Sequence, residues 1–107
     1  MSITSLEGVI IEPGADLSFK TAGWIDLTSA NLSGANLSNV NLENVLLTGA
    51  DLSYANLNGA ILYGTLVNLE QVDLSFSTLF GANLQGSNLK LANFTGANLL
   101  YSNLIEA

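Results

Sequence analysis

The chain has 107 residues, 49% of them hydrophobic, and nine carboxylates against two lysines give it a net charge of −7 at pH 7. Proteins bind nucleic acids through lysine and arginine, so this composition excludes direct DNA or RNA binding. Histidine, arginine and cysteine are all absent, which removes the usual nucleophile–base pairs, thiolate metal ligands and disulfides. We therefore expect no enzymatic activity, no cofactor and no metal site.

The sequence also predicts no contact with a membrane. No window approaches the roughly 18 consecutive apolar residues of a membrane-spanning helix. Residues 1–5 lack the basic region and apolar run that begin a signal peptide. The expected location is the cytoplasm.

Residues 1–14 are predicted to form an N-terminal cap. Val9, Ile10 and Ile11 predict a strand, and Glu12 to Gly14 predict a turn around Pro13. We expect this segment to cover the open edge of the repeat that follows, because the terminal edge of a repeat array must be covered.

A five-residue repeat occupies residues 15–107 and forms one structural domain. Each pentapeptide has a central residue, which is leucine at 16 of 18 centres, and the phase shifts once by two residues near 63–67. In chain order the centres are Leu17, Ala22, Leu27, Leu32, Leu37, Leu42, Leu47, Leu52, Leu57 and Leu62, then Leu69, Leu74, Leu79, Leu84, Leu89, Phe94, Leu99 and Leu104.

This spacing predicts very short strands joined by tight turns. A period of five fits neither a helix nor a continuous strand. Ala30 and Leu32 are two residues apart, so they share one face of an extended segment. The third turn residue is glycine at seven corners, and glycine freely adopts the positive φ of a type II turn; Asn39 and Asn44 tolerate it. Bulkier residues disfavour positive φ, so a different turn type is predicted at the remaining corners. Those corners hold Phe19, Trp24, Ser29, Tyr54, Gln71, Phe76, Leu91, Tyr101 and Glu106.

The phrase Ala30-Asn31-Leu32-Ser33-Gly34 and its copies resemble the repeat of the pentapeptide-repeat family. The resemblance covers residues 15–106 and implies an all-β fold, a right-handed quadrilateral β-helix with four pentapeptides per coil. Eighteen pentapeptides would then make a solenoid of about 4.5 coils. The resemblance also implies that the central residue and the residue two before it point inward.

Three places depart from the repeat. Lys20–Trp24 has unsuitable residues at both inward positions, so an irregular first coil is expected. Leu46 and Ile61 place apolar side chains where asparagine or aspartate is usual. The two-residue shift near 63–67 is predicted to form a bulge or small corner loop, because both flanks keep their phase; the alternative is a break in the β-helix.

Five outward apolar residues are predicted to meet near adjacent corners of the C-terminal half. Large exposed apolar patches usually mark interfaces, and aromatic residues are favoured in them. Partner binding, self-association or a scatter of single residues would each account for them. This candidate interaction patch consists of Tyr63, Phe80, Leu100, Tyr101 and Ile105.

Other outward residues favour structural roles. Tyr54 and Phe76 fall at equivalent corners of adjacent coils, where they are able to stack. The asparagine or aspartate before each centre is expected to bond to neighbouring backbone groups. Asp51 and Asp73 align on one face, but two carboxylates without a third ligand make a poor cation site.

Three functions remain open. The first is a non-catalytic rigid scaffold or protein–protein interaction module with an unknown protein partner. The resemblance adds a second, because one branch of the family mimics DNA and inhibits DNA gyrase; here, however, the carboxylates are scattered and the C-terminal helix of that branch is missing. The third is a structural spacer within a larger protein. The repeat continues to Glu106, which allows a homodimer through the C-terminal coil.

Overall fold

The computed structural model describes residues 5–6, 9–10, 12–16, 25–43, 45–63 and 67–107. Near the N-terminus, β1 (Ser5–Leu6) and β2 (Val9–Ile10) form an antiparallel pair. A turn at residues 13–14 follows, and the Ala15 amide donates to the Glu12 carbonyl at 3.1 Å. Ile11 and the irregular phrase predicted at 20–24 lie outside the described residues, and the capping role of the N-terminal segment stays a prediction.

Residues 20 apart stack on one another in parallel. β3 (Ile25–Asp26) pairs with β4 (Val45–Leu46), and single-residue bridges such as Asn36 to Asn56 continue the pattern. Because 20 residues are four pentapeptides, each coil has four sides. The chain measures 32 Å along its longest axis and 24 and 23 Å across, and the nearly equal widths agree with a four-sided coil.

The two-residue shift in phase does not interrupt this stack. Partners that bracket the shift are 22 residues apart, as in Asp51 to Asp73 and Ile61 to Asn83. Partners beyond it return to a separation of 20, as in Asp73 to Asn93. The two extra residues are therefore absorbed within one coil. Residues 64–66 lie outside the described residues, so the predicted bulge or corner loop stays a prediction in its detail.

A narrow column of leucines fills the inside of the coils. Every central residue from Leu27 to Leu84 that the structure describes is at most 3% exposed. The smaller residues two positions earlier are equally buried from Ala35 to Ala82, whereas Ala30 is partly buried. Ser77 fits this inner position because its hydroxyl donates to the Leu74 carbonyl at 2.6 Å. Among the described residues, every buried side-chain polar atom has a hydrogen-bond partner. The two predicted inward positions are confirmed.

The asparagine or aspartate before each centre holds the following turn. Its Oδ1 accepts a hydrogen bond from the amide two residues later, at 2.9 Å from Ser53 to Asp51 and 3.0 Å from Thr95 to Asn93. This local bond satisfies an amide that the turn leaves without a backbone partner. The expected structural role of these residues is confirmed.

All described corners share one conformation, so the prediction of two turn types was wrong. The third turn residue has a φ between 57° and 71° whether it is glycine or not. The residue before it keeps a non-positive φ, and the turn closes with a bond such as Ala55 amide to Leu52 carbonyl at 3.1 Å, as in a type II turn. The corrected corners are Ser29, Tyr54, Gln71, Phe76, Leu91, Tyr101 and Glu106; Phe19 and Trp24 lie outside the described residues.

Hydrogen bonds between coils explain why one conformation prevails. The Tyr54 amide donates to the Ser75 carbonyl of the next coil at 2.9 Å, just as the Gly34 amide donates to the Ser53 carbonyl at 2.8 Å. A different turn type would point the corner amide away from its carbonyl partner and would displace the next coil. The left-handed conformation costs a bulky residue about 1–2 kcal/mol, which is less than losing the register of a coil and its buried leucine.

Replacing Leu91 by glycine is expected to raise the free energy of unfolding by up to about 1 kcal/mol, since it removes left-handed strain but adds the chain entropy of glycine. Leu91 has a φ of 61° and is 70% exposed, so little packing is lost. Urea unfolding followed by circular dichroism measures the change. Lys90→Gly is the matched control, because Lys90 is exposed without positive φ and lies outside the apolar corner, so it should lose stability. Equal losses in both variants would contradict strain at the corner.

Candidate functional site

Three of the five predicted patch residues come together at one corner. Phe80 and Leu100 occupy equivalent positions in successive coils, because the Gly59 amide donates to the Phe80 carbonyl at 2.9 Å and the Gly81 amide to the Leu100 carbonyl at 3.0 Å. The rings of Phe80 and Tyr101 meet edge to face with centroids 5.4 Å apart. Phe80, Leu100 and Tyr101 are 45%, 56% and 78% exposed, and together they are called the apolar corner.

Tyr63 and Ile105 lie on the neighbouring corner. The bridges of Ile61 to Asn83 and of Asn83 to Asn103 place Gln85 between them in the stack. Tyr63 interacts with Glu43 and not with the apolar corner. A hydrogen bond to Glu43 and the charge of that carboxylate raise the pKa of the tyrosine hydroxyl. Ile105 is exposed beside Leu104, a core residue of the last coil that is 41% exposed.

A second aromatic pair lies on a corner that the predicted patch does not include. The rings of Tyr54 and Phe76 stack with centroids 5.2 Å apart and planes inclined by 15°, which confirms the expected stacking. The two side chains are 67% and 52% exposed. Gly34 precedes them in the same column and Gly96 follows them. These four residues are called the aromatic corner.

The two glycines of the aromatic corner have different surroundings. A Cβ atom at Gly96 would lie 2.7 Å from Cδ1 of Phe76, so the Phe76 ring extends over Gly96. A Cβ atom at Gly34 would meet nothing within 4 Å. The stack therefore leans towards the C-terminal coil, and no described residue fills the level of Gly34 beside the Tyr54 ring, which is 67% exposed.

Leu91 is an exposed corner residue that the predicted patch also leaves out. Its sequence signal is a large apolar residue at the third turn position, where the side chain projects from the coil. The same signal applies to Tyr54 and Phe76. Corner position is therefore a better indicator of exposure than apolar character alone.

Two carboxylates lie close in sequence to the rings of the aromatic corner. Asp51 and Asp73 stack in adjacent coils and are half-buried. Asp51 accepts hydrogen bonds from both the amide and the hydroxyl of Ser53, at 2.9 and 2.6 Å, and Asp73 is held in the same way by Ser75. Both carboxylates are thus held in a set direction.

Asp26 lies on another face, where a comparable arrangement has a clear electrostatic effect. Hydrogen bonds from the Thr28 hydroxyl at 2.6 Å and from the Thr28 amide at 3.0 Å stabilise the charged carboxylate and lower the pKa of Asp26. The Asp26 side chain is accessible to solvent, so its lowered pKa follows from the hydrogen bonds of its own turn.

The described part of the chain forms no pocket. Within the same residues, no three potential metal ligands are grouped closely enough to hold an ion, and no helix is long and apolar enough to cross a membrane. What this surface offers a ligand is therefore its faces and corners.

Comparison with known proteins identifies the repeat. The family model for pentapeptide repeats matches in eight copies over residues 25–64 and 73–107, which is most of the chain. No curated protein matches the sequence. The solved structure of Rfr23, a pentapeptide repeat protein from the cyanobacterium Cyanothece 51142, is 33% identical with a TM-score of 0.81, covering 86% of this chain and 62% of that one.

Two other solved structures are less similar. A pentapeptide repeat protein from the Arabidopsis thaliana thylakoid lumen is 26% identical over 77% of this chain and 59% of that one, with a TM-score of 0.42. QnrB1, a plasmid-mediated fluoroquinolone resistance protein, is 20% identical over 84% and 65%, with a TM-score of 0.26. TM-scores this low do not support any statement about the fold or function of this chain.

The chain spans 62% of the length of Rfr23 and 59% of the length of the Arabidopsis protein. The repeat unit, the four-sided stack and the family match agree with one another. The chain belongs to the pentapeptide-repeat family, whose members are right-handed quadrilateral β-helices.

Proposed function

We propose that this chain is a non-catalytic, rigid β-helical module of about 4.5 coils that binds another protein. The observation that carries the proposal is the apolar corner, where three large side chains are exposed together. Monomeric proteins rarely expose contiguous apolar patches, and aromatic side chains dominate the energetics of interfaces. Family membership supports the proposal, because pentapeptide-repeat proteins are generally structural or interaction modules without enzymatic activity.

A second copy of the chain is the partner to test first. The apolar corner lies next to Ile105 and Leu104, which are 59% and 41% exposed in the last coil. Two C-terminal coils placed end to end would remove these side chains from water, together with part of the apolar corner. Burial of apolar surface stabilises a complex by roughly 25 cal/mol per Å². The exposed apolar corner and the exposed side chains of Leu104 and Ile105 therefore favour the same dimer.

Light scattering on a sizing column tests this dimer with the variant Leu100→Ser/Tyr101→Ser. Serine suits both positions. Ser29 adopts a φ of 60° at the third turn position, and Ser38 occupies the position equivalent to Leu100 in an earlier coil. The wild type is expected to have the mass of a dimer and the variant that of a monomer. Leu91→Ser removes an exposed leucine from another corner, so it should leave the mass unchanged.

The other outcomes are equally informative. If the wild type is a monomer, the second copy is not the partner, and the apolar corner is free for a different protein. Affinity capture with the serine variant as negative control then tests that protein. If the wild type is a dimer and the variant remains one, the apolar corner is not the interface.

The DNA-mimic alternative receives no specific support. Such a mimic needs extended rows of carboxylates. Among the described carboxylates Asp51 stacks on Asp73, whereas Asp16 stacks on Asn36 and Asp26 on Leu46. No observation favours the spacer over the binding module either.

A further inference from the structure

We propose that the aromatic corner binds an arginine side chain in a basic segment of a partner protein, with the guanidinium stacked on the uncovered face of Tyr54 above Gly34. The proposal names a second surface and the chemistry of its partner. One face of the coil separates it from the apolar corner. The proposed arginine site is independent of whether the apolar corner is an interface.

The column of corner residues leaves space for one planar group at Gly34. Tyr54 is covered by Phe76 on one side, and on the other side Gly34 is exposed and has no side chain. Successive coils are about 4.8 Å apart, as are paired strands, so one planar group fits at the level of Gly34. It would extend the existing stack by one member, because no described residue occupies the space that a Cβ atom at Gly34 would enter.

The carboxylates of this corner favour a positively charged ligand at the level of Gly34. Asp51 belongs to the same pentapeptide as Tyr54, and Asp73 to that of Phe76. Serine hydrogen bonds hold both carboxylates in a set direction before a ligand arrives. Lys90 is the one cation of the described part, and it lies in a different column, where the Gln71 amide donates to its carbonyl. The bridges of Asn31 to Asp51 and of Asp51 to Asp73 place these carboxylates one and two coils from the level of Gly34. A positively charged group there would therefore be attracted mainly by Asp51.

Arginine fits these features better than lysine. Its guanidinium is planar, stacks on aromatic faces and donates to carboxylates in a forked geometry, whereas the lysine ammonium is compact and strongly hydrated. A neutral aromatic ring would use the Tyr54 face and leave the carboxylates unused. The combination of an open ring face and fixed carboxylates thus favours an arginine.

Nuclear magnetic resonance with the ¹⁵N-labelled chain tests the proposal. The probe is acetyl-Gly-Arg-Gly-amide, compared with the same peptide carrying lysine or citrulline, which is planar but uncharged. The arginine peptide is expected to shift the amide signals of Tyr54, Ser53 and Ser75. The citrulline peptide is expected to bind about fivefold more weakly, in line with the strength of exposed cation–π contacts. The lysine peptide is also expected to bind more weakly than the arginine peptide, because its ammonium group is neither planar nor forked.

Two variants separate the ring face from the charges. Asp51→Asn/Asp73→Asn removes both charges while keeping the turn, because Asn93 accepts the same amide bond at 3.0 Å in the next coil of this column. Gly34→Leu fills the vacant level with a side chain that has no ring face, and Leu91 shows that leucine is tolerated at the third turn position. It leaves Tyr54, Phe76 and both carboxylates in place. Each change is expected to weaken binding of the arginine peptide by up to about fivefold.

Gly49→Leu is the matched control for Gly34→Leu. Gly49 has a φ of 68° on another corner, and its nearest neighbour would be Ser29 Oγ at an ordinary 3.6 Å. It should therefore bear the same backbone strain and bind the peptide like the wild type. Melting curves show that each variant is folded at the temperature of the titration.

Several results would overturn the proposal. Absence of shifts at the aromatic corner, equal binding of the lysine peptide, or shifts spread evenly over all carboxylates would each do so. So would unchanged binding by Gly34→Leu. The variant Leu100→Ser/Tyr101→Ser should bind the peptide normally, so failure of this proposal and failure of the proposed function are distinguishable.

Discussion

Replacing Leu57 by alanine is expected to lower the free energy of unfolding by about 2–5 kcal/mol, the range for leucine removed from a packed core. Leu57 has no exposed surface and lies in the middle of the leucine column. Its amide donates to the Thr78 carbonyl of the next coil at 2.7 Å. Because such bonds set the spacing of the coils, neighbouring leucines are unable to move into the cavity. The loss should therefore lie in the upper part of the range.

Urea unfolding followed by circular dichroism measures this loss. Leu99→Ala is the matched control, since Leu99 is the central residue of the same face in the last coil and is only partly buried. Its loss should be less than half that of Leu57→Ala. Similar losses in the two variants would show that the position in the column does not determine the cost.

Replacing Ala55 by leucine is expected to cost about 1–3 kcal/mol or more, as overpacking of a filled core does. Ala55 is 1% exposed and occupies the inner position beside the leucine column. Its carbonyl accepts the Thr78 amide at 3.0 Å, and its own amide donates to the Leu52 carbonyl at 3.1 Å. The backbone therefore has little freedom to move outwards and admit a larger side chain.

Thermal and urea unfolding of Ala55→Leu should be compared with those of Ala97→Leu. Ala97 has the same position and face in the last coil, where it is partly buried and its surroundings are more open. The larger side chain should be tolerated better there. Wild-type stability of Ala55→Leu would mean that the inner position has spare volume, contrary to the packing observed around it.

The sequence by itself determined the inward positions and the continuity of the coils. A leucine every five residues with a small residue two positions earlier puts both on one face of an extended segment, whereas four pentapeptides per coil is what the family resemblance implied. Leu57 and Ala55 are accordingly buried. The matching phase on both flanks of the shift likewise predicted a continuous stack, and the bridge of Asp51 to Asp73 spans it. Periodicity carries this information because burial of apolar surface dominates the folding free energy.

Only the tertiary structure decided the conformation of the corners. The local preferences of Tyr54 and Leu91 oppose a positive φ, and a sequence-based prediction weighs each residue alone. In the coil, the Tyr54 amide must reach the Ser75 carbonyl, which ties the corner to the register of a whole coil. A local cost of about 1–2 kcal/mol does not outweigh that register.

The contacts of the exposed side chains were also decided by the tertiary structure. Phe80 meets Tyr101, Tyr63 is drawn to Glu43, and the Tyr54 ring is left with one open face. These contacts depend on how side chains lean between coils, across 20 or more residues of sequence. A five-residue pattern assigns a residue to a corner, but the direction of its side chain follows from the shape of the neighbouring coil.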